Sequence, residues 1–255
     1  MCVIYVPLQK TVYMKLRLII VLILLIPTFG FSQMNQSIDF VSGIELSYRQ
    51  LTTRSNDQIV GAILESREQE EVMKLNWRIG FNFNRRLTSN LVLRTGLRLA
   101  SVGYKGEKRT GLKWPSEHDG NGGWVADPNL PRESQLIYDY WFVEMPIVGR
   151  FEMTKKKLSP FIELGILPSY YMITRTTQKT DIGTDSQFEN GDVHNFNRVH
   201  FVGFLSFGMN YSLNDNLQFF GQPAFRYHFT KLADAPIAEY LFNCGIEFGI
   251  RNRIQ

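Results

Sequence analysis

Cysteine is almost absent from this chain, with two residues in 255. Cys2 falls in a leader segment described below, which leaves Cys244 alone, and a lone cysteine makes no internal disulfide. Cys244 stands between Phe242 and Ile246 on an apolar strand face. That place points to packing, because a reactive thiol needs a basic, partly exposed setting. Basic charge is not concentrated either. Lys10, Lys15 and Arg17 lie in the first 32 residues, without an acid, and the remainder carries 25 basic against 24 acidic residues. The sequence pI near 9 is therefore no sign of the clustered basic face that nucleic acid requires, and no nucleic-acid partner is expected. Long apolar runs are missing beyond one, Leu18 to Ile26. It is shorter than the roughly 20 residues of a membrane helix.

That one run belongs to a leader. Met14-Lys15-Leu16-Arg17 is a basic start, the apolar run follows, and Gly30 and Ser32 are small at the positions a signal peptidase reads. Residues 1–32 are expected to be a secretory signal peptide with its true start at Met14, and the mature chain to begin at Gln33. No Pro/Gly/Ser linker or charge run divides residues 33–255, which read as one domain.

What the domain has in abundance is Phe (19), Tyr (11) and Gly (20), a mix that suits strands and turns. Its apolar residues recur with period two. From Tyr240 to Ile250, Phe242, Cys244, Ile246 and Phe248 share one face, while Asn243, Gly245, Glu247, Gly249 and Arg251 share the other. The same alternation runs through 40–49, 73–84, 91–100, 141–152, 161–170, 200–209 and 217–229, which makes eight segments in all. Each reaches about the 9–11 residues with which a tilted strand crosses a bilayer. No apolar face holds a charge. Closing the sheet satisfies every backbone group, as a bilayer demands. The expected fold is all-β: an eight-stranded antiparallel up-and-down transmembrane β-barrel. The weaker alternative is an exported soluble barrel or sandwich.

Connections 85–90, 154–159 and 212–216 are short and polar, whereas 54–70, 105–134 and 176–197 are long. Outer-membrane barrels have short periplasmic turns and longer outer loops. With the N-terminus in the periplasm, Tyr138, Tyr140, Trp141, Tyr170, Tyr171, Tyr227 and Tyr240 gather as an aromatic girdle at the outer rim. Pro146, Pro168 and Pro223 fall inside strands, where each deletes a ladder donor.

Eight strands leave an interior that side chains can fill. The inward positions carry Glu45, Arg49, Lys74, Arg78, Arg94, Arg98, Glu144, Arg150, Glu152, Glu163, Arg226, Glu247 and Arg251. Counting from the turns places Glu45, Arg78, Arg98 and Glu144 near mid-height. Arg94, Arg150, Glu163, Glu247 and Arg251 fall lower. Charges removed from water must be paired, so an ion-pair network closing the barrel is expected. The alternative is a narrow, arginine-rich pore for small solutes or anions.

Catalysis is not expected. His200 and Ser206 are too far apart along one strand to act together, and His228 at the top has only a loop acid such as Asp234 as a prospective partner. No cofactor or metal is expected. The run Glu117-His118-Asp119-Gly120-Asn121-Gly122-Gly123 resembles the start of a calcium loop, but its twelfth position is Pro128 and not the closing Glu. Trp114 and Trp124 flank it, and exposed tryptophans are common contact anchors. Trp114, Asp119 and Trp124, within 105–134, are the expected partner-contact positions.

Four stretches also carry a family likeness: Arg94-Thr-Gly-Leu-Arg-Leu through Gly103-Tyr-Lys-Gly; Phe142-Val-Glu-Met-Pro-Ile-Val-Gly-Arg; Pro160-Phe-Ile-Glu-Leu-Gly; and Asn243-Cys-Gly-Ile-Glu-Phe-Gly-Ile-Arg. With the leader's Phe-Ser-Gln ending, the chain resembles the PorT-like small outer-membrane β-barrel proteins of Bacteroidota. The resemblance implies an outer-membrane address among lipid and lipopolysaccharide, and assembly by the barrel-insertion machinery. Named members take part in type IX secretion and gliding, which makes a secretion or surface-protein partner an expectation.

Overall fold

The computed structural model describes residues 36–118, 123–154, 156–190 and 195–254. The leader, Gln33, Asp119 and His194 lie outside the described residues. The strands are β1 (Gln36–Thr53), β2 (Glu71–Arg86), β3 (Leu91–Gly106), β4 (Arg109–Thr110), β5 (Glu133–Glu144), β6 (Ile147–Glu152), β7 (Leu158–Thr180), β8 (Thr184–Glu189), β9 (Val199–Ser212), β10 (Leu217–His228) and β11 (Ile237–Ile254). An α-helix, α1 (Gln58–Glu70), joins β1 to β2. Among the described residues no helix is long and apolar enough to cross a membrane.

Antiparallel pairing closes these strands into a ring. β1 pairs β2, β2 pairs β3, β3 pairs β5 and β6, these pair β7, and the circuit returns through β9, β10 and β11 to β1. β5 and β6 are one stave interrupted at Met145-Pro146, so the ring has eight staves. The seam between β1 and β11 runs from Gln36 opposite Ile254 to Thr53 opposite Ile237.

The period-two reading of the faces matches the burial. Phe81, Leu97, Leu164, Phe207 and Phe248 are exposed on the outside, while Arg78, Arg94, Arg98, Arg150 and Arg226 rank among the largest fully buried side chains. The interior is polar and the exterior apolar, the inverse of a water-soluble protein and the pattern of a bilayer barrel. Cys244 is exposed on the apolar exterior.

The prolines are absorbed in different ways. Pro146 occupies the gap between β5 and β6. Pro223 interrupts the β9–β10 ladder between Gly221 and Ala224 without changing its register. Pro168 keeps its place opposite Phe201. The register shifts lie elsewhere, between Met73 and Arg78 in β2 and between Trp141 and Phe142 in β5.

Three turns share the end where β1 begins and β11 ends, and two of them use local side-chain acceptors. Thr88 Oγ accepts from Leu91 N–H at 3.1 Å, and Asn214 Oδ1 from Leu217 N–H at 2.7 Å. The opposite end is more structured than the sequence indicates. Residues 54–70 read as a loop but contain α1, whose N-cap Asp57 accepts from Ile59 N–H at 2.9 Å. Residues 176–197 read as a loop but contain the β7–β8 hairpin, closed where Thr180 N–H donates to Gly183 at 2.8 Å. Both segments stand beyond the apolar belt, so neither carries the alternation that marks the staves.

Candidate functional site

The lumen holds the inward side chains at three levels. At the short-turn end, Glu163 on β7 is fully buried and accepts from Arg94 Nη1 at 2.7 Å, Arg150 Nε at 2.5 Å and Ser206 Oγ at 3.1 Å. Arg94 reaches on to Asp39 at 3.0 Å, and Asp39 takes Arg251 at 2.8 Å. Arg251 continues to Glu152 at 3.1 Å, and Glu152 takes Arg86 at 2.6 Å. Phe161 and Phe220 pack with Val41 in this layer, and the Arg150 guanidinium lies 4.0 Å from the Phe161 ring centre. Arginine suits this role because its planar fork spans two acceptors while its face covers an aromatic ring.

Mid-height carries three arginines and three glutamates. Arg78 donates to both oxygens of Glu144, at 2.8 and 2.9 Å, and also pairs with Glu45. Arg226 pairs with Glu45 and Glu247, and Arg98 reaches Glu247 at 3.1 Å. Glu247 therefore belongs to this level and not to the lower one: its carboxylate pairs with Arg98 and Arg226, and β11 sets it opposite Gly43, the inward position next to Glu45. Two glycines make room on the wall. A Cβ at Gly80 would lie 2.7 Å from Arg98 Cγ, and one at Gly245 would lie 2.7 Å from Glu45 Cγ. All ten sequence-predicted network residues thus lie buried in the lumen, in two sets; Asp39, an inward residue outside that expectation, joins Arg94 to Arg251 in the lower one. Changing Glu144 to Ala leaves Arg78 with Glu45 alone. A lower unfolding temperature is expected, and an unchanged melt would contradict the pairing.

Above the charges lies an aromatic column. Tyr138 meets Tyr104 at 5.0 Å between ring centres, Tyr104 meets Tyr140 at 6.1 Å, and Tyr140 meets Phe196 at 5.8 Å. Phe196 stacks on Tyr171 at 5.2 Å, and Tyr171 meets Phe142 at 5.9 Å. Phe142 then touches His200 at 5.1 Å and His228 at 5.4 Å. This corrects the expected girdle. Tyr138, Tyr140 and Tyr171 face inward and build the column, while Tyr170 is exposed on the outside. It also corrects the expected partner of His228. Asp234 is exposed and pairs with Lys231 at 2.5 Å, whereas His228 is buried 5.7 Å from His200. Ser206 lies in the charged layer on Glu163 and not beside His200.

At the long-loop end the column opens into a cavity of about 860 Å³, lined among others by Arg67, Glu71, Tyr104, Tyr138, Tyr140, Phe196 and Glu239. Nearby, Lys74 and Arg175 converge on Asp139, the latter at 2.9 Å.

The partner-loop residues part company. Trp114 folds back, its Nε1–H donating to Pro131 at 2.8 Å, while Trp124 remains 47 % exposed. Glu117, first residue of the calcium-like run, serves the loop itself. It takes Arg132, and it accepts Trp114 N–H at 3.0 Å and Asp127 N–H at 2.8 Å. No group of three or more metal-ligating side chains occurs among the described residues. The hydrogen bond from Arg132, helped by the two backbone donors, holds the Glu117 carboxyl down from 4.5 to about 2. A lowered pKa makes this support complete above the ordinary value and lost as pH falls through the lower one. Tryptophan fluorescence is expected to change across that window in the native chain and to lose that transition in E117Q. A flat native profile would contradict it.

Residues 31–233 match the family described as the outer membrane protein beta-barrel domain. No curated protein matches the chain. Three similar solved structures are Neisserial surface protein A, the outer membrane protease OmpT from Escherichia coli, and the outer membrane protein OprG from Pseudomonas aeruginosa. The first has 8 % identity and TM-score 0.40, covering 86 % of this chain and 97 % of the other. The second has 8 % identity and TM-score 0.45, covering 89 % and 100 %. The third has 9 % identity and TM-score 0.36, covering 84 % and 95 %. With the family match spanning most of its length, this chain belongs to the outer membrane protein β-barrel domain family.

Proposed function

We propose that this protein is a closed outer-membrane barrel of the PorT-like kind, acting as a structural and interaction protein. Its long loops face outward, where it serves secretion or surface assembly. The filled lumen carries the reading: two layers of paired charge lie under an aromatic column, and an occupied lumen suits a scaffold better than a path for solute. The apolar belt meets outer-membrane lipid and lipopolysaccharide, and the barrel-insertion machinery places it there. A non-enzymatic role fits the two lumen histidines, which face Phe142 and one another. Trp124 and its 70 % exposed neighbour Val125 are the loop positions we assign to partner contact. Planar-bilayer recording tests the closed lumen. No steady conductance is expected from the purified protein, and stepwise anion-selective currents would replace this reading with the narrow channel.

A further inference from the structure

The cavity at the long-loop end has two unlike walls. One is aromatic, formed by Tyr138, Tyr140 and Phe196. The other holds the carboxylates of Glu71 and Glu239, and each of these already receives two guanidinium groups. Arg49 approaches from below, buried, and pairs with both acids. It lies 3.7 Å from the centre of the Tyr104 ring, which combines the carboxylate and aromatic contacts that guanidinium groups favour. Arg67 approaches from the cavity side, with Nη2 2.6 Å from Glu239 Oε1 and Nε 3.5 Å from Glu71 Oε1.

The two arginines are held very differently. Arg49 stands on a barrel strand, and its side chain has no exposed surface, whereas that of Arg67 is 29 % exposed. Arg67 belongs to α1, which buries none of its residues, and Ile59 and Ile63 on that helix face solvent. Beyond Arg67, α1 is tied to the next loop by an exposed pair between Glu70 and Arg109 and by Glu107 N–H donating to the Glu70 carbonyl at 2.7 Å. Exposed ion pairs contribute little, so the Glu70–Arg109 tie does little to fix α1 in place; what holds Arg67 in the cavity is its own pairing with Glu239 and Glu71, which an incoming guanidinium would replace. Its departure leaves the carboxylates of Glu71 and Glu239 sharing one guanidinium, that of Arg49, with Glu70 and Glu107 beside Lys108 and Arg109 in the lining.

We propose that this cavity is a receptor for a guanidinium group, the side chain of an arginine on a partner's peptide segment, and that Arg67 fills it in the resting state. The cavity volume of about 860 Å³ lies within the roughly 300–1,000 Å³ of ligand sites. That leaves room for an arginine and its flanking residues. The proposal rests on the reading of the long-loop end as a contact surface. An incoming arginine takes the place of Arg67 on Glu239 and Glu71, while the aromatic wall packs against its stem and the neighbouring residue.

The test uses the full mature chain in detergent micelles, as wild type and R67A, with each sample checked for a heat-dependent gel shift. The probe is N-acetyl-Gly-Arg-Gly-amide, with the citrulline peptide as the uncharged control, and binding is read by calorimetry. Because R67A removes the competing group, it is expected to bind the arginine peptide at least tenfold more tightly than wild type and to ignore citrulline. Adding E239Q to R67A is expected to remove the gain. Equal binding by wild type and R67A, no binding by a folded R67A, or equal binding of citrulline would overturn the proposal. Conductance of the same preparations separates the two readings. A closed barrel that fails to discriminate arginine sinks the receptor alone, and an open one sinks the closed-barrel reading whatever it binds.

Discussion

Replacing Glu163 with alanine is expected to destabilise the barrel by about 3–5 kcal/mol, the usual penalty for removing one partner of a buried ion pair. The cause is what remains. Arg94 and Arg150 are both fully buried and both bind this carboxylate, and Ser206 loses its acceptor as well. Arg94 retains Asp39, but Arg150 keeps only Asn210 at 3.2 Å and the rings of Phe161 and Phe220. The network as a whole adds far less net stability than this, because forming it required dehydrating every member. Glu163→Gln is expected to recover part of the loss by keeping one acceptor. Equilibrium unfolding in urea, with the barrel in lipid vesicles, measures both. A midpoint equal to wild type for the alanine variant would mean that water reaches two arginines there, and the filled lumen would have to be abandoned.

The adjacent residue is expected to obey the opposite rule. Leu164 is 67 % exposed on the outer face, beside Leu205 of β9 and Gly149 of β6. Leu164→Arg places a guanidinium in hydrocarbon, which costs about 2–4 kcal/mol near the bilayer midplane. The same change in a water-soluble sheet would be close to neutral, since the side chain would meet solvent. The comparison therefore separates membrane from water as the medium around the belt. Unfolding from vesicles is expected to show the loss in full. A neutral result in lipid would place Leu164 at an interface or in a wet crevice.

Neighbours with opposite rules explain why the staves were readable. A strand that separates lipid from a charged lumen must alternate strictly, so parity alone assigned Glu45, Arg78, Arg98, Glu144, Arg226 and the rest to the inside. The same parity contains what the reading passed over. Asp39 continues the inward series of Val41, Gly43 and Glu45, one residue before the alternation that opens at Phe40. Tyr138 and Tyr140 continue the inward series of Phe142 and Glu144, although tyrosine is also the common residue of a girdle. The height of Glu247 is not available from counting along one strand, because it is set by the register with β1 and by partners on β3 and β10. α1 and β8 lie where both sides are wet, and wet segments need no alternation. Their evidence is local: Asp57 as a cap before a stretch without proline, and threonines at 174, 176, 177 and 180 leading into Asp181 and Gly183.

The seam between β1 and β11 bears on time more than on strength. It joins segments at opposite ends of the sheet's sequence, from Gln36 with Ile254 to Thr53 with Ile237. Every other neighbouring pair of staves is linked by a connection far shorter, so the seam is the last contact whose loop-closure entropy is met. Until it zips, the flank of β1 and the free flank of β11 are bare edges, and bare edges recruit strands from other molecules. The hazardous interval for this protein is therefore the wait of a nearly finished sheet for its closing seam. An escort that shields the β1 flank until β11 arrives would do more for its yield than any substitution that deepens the native state.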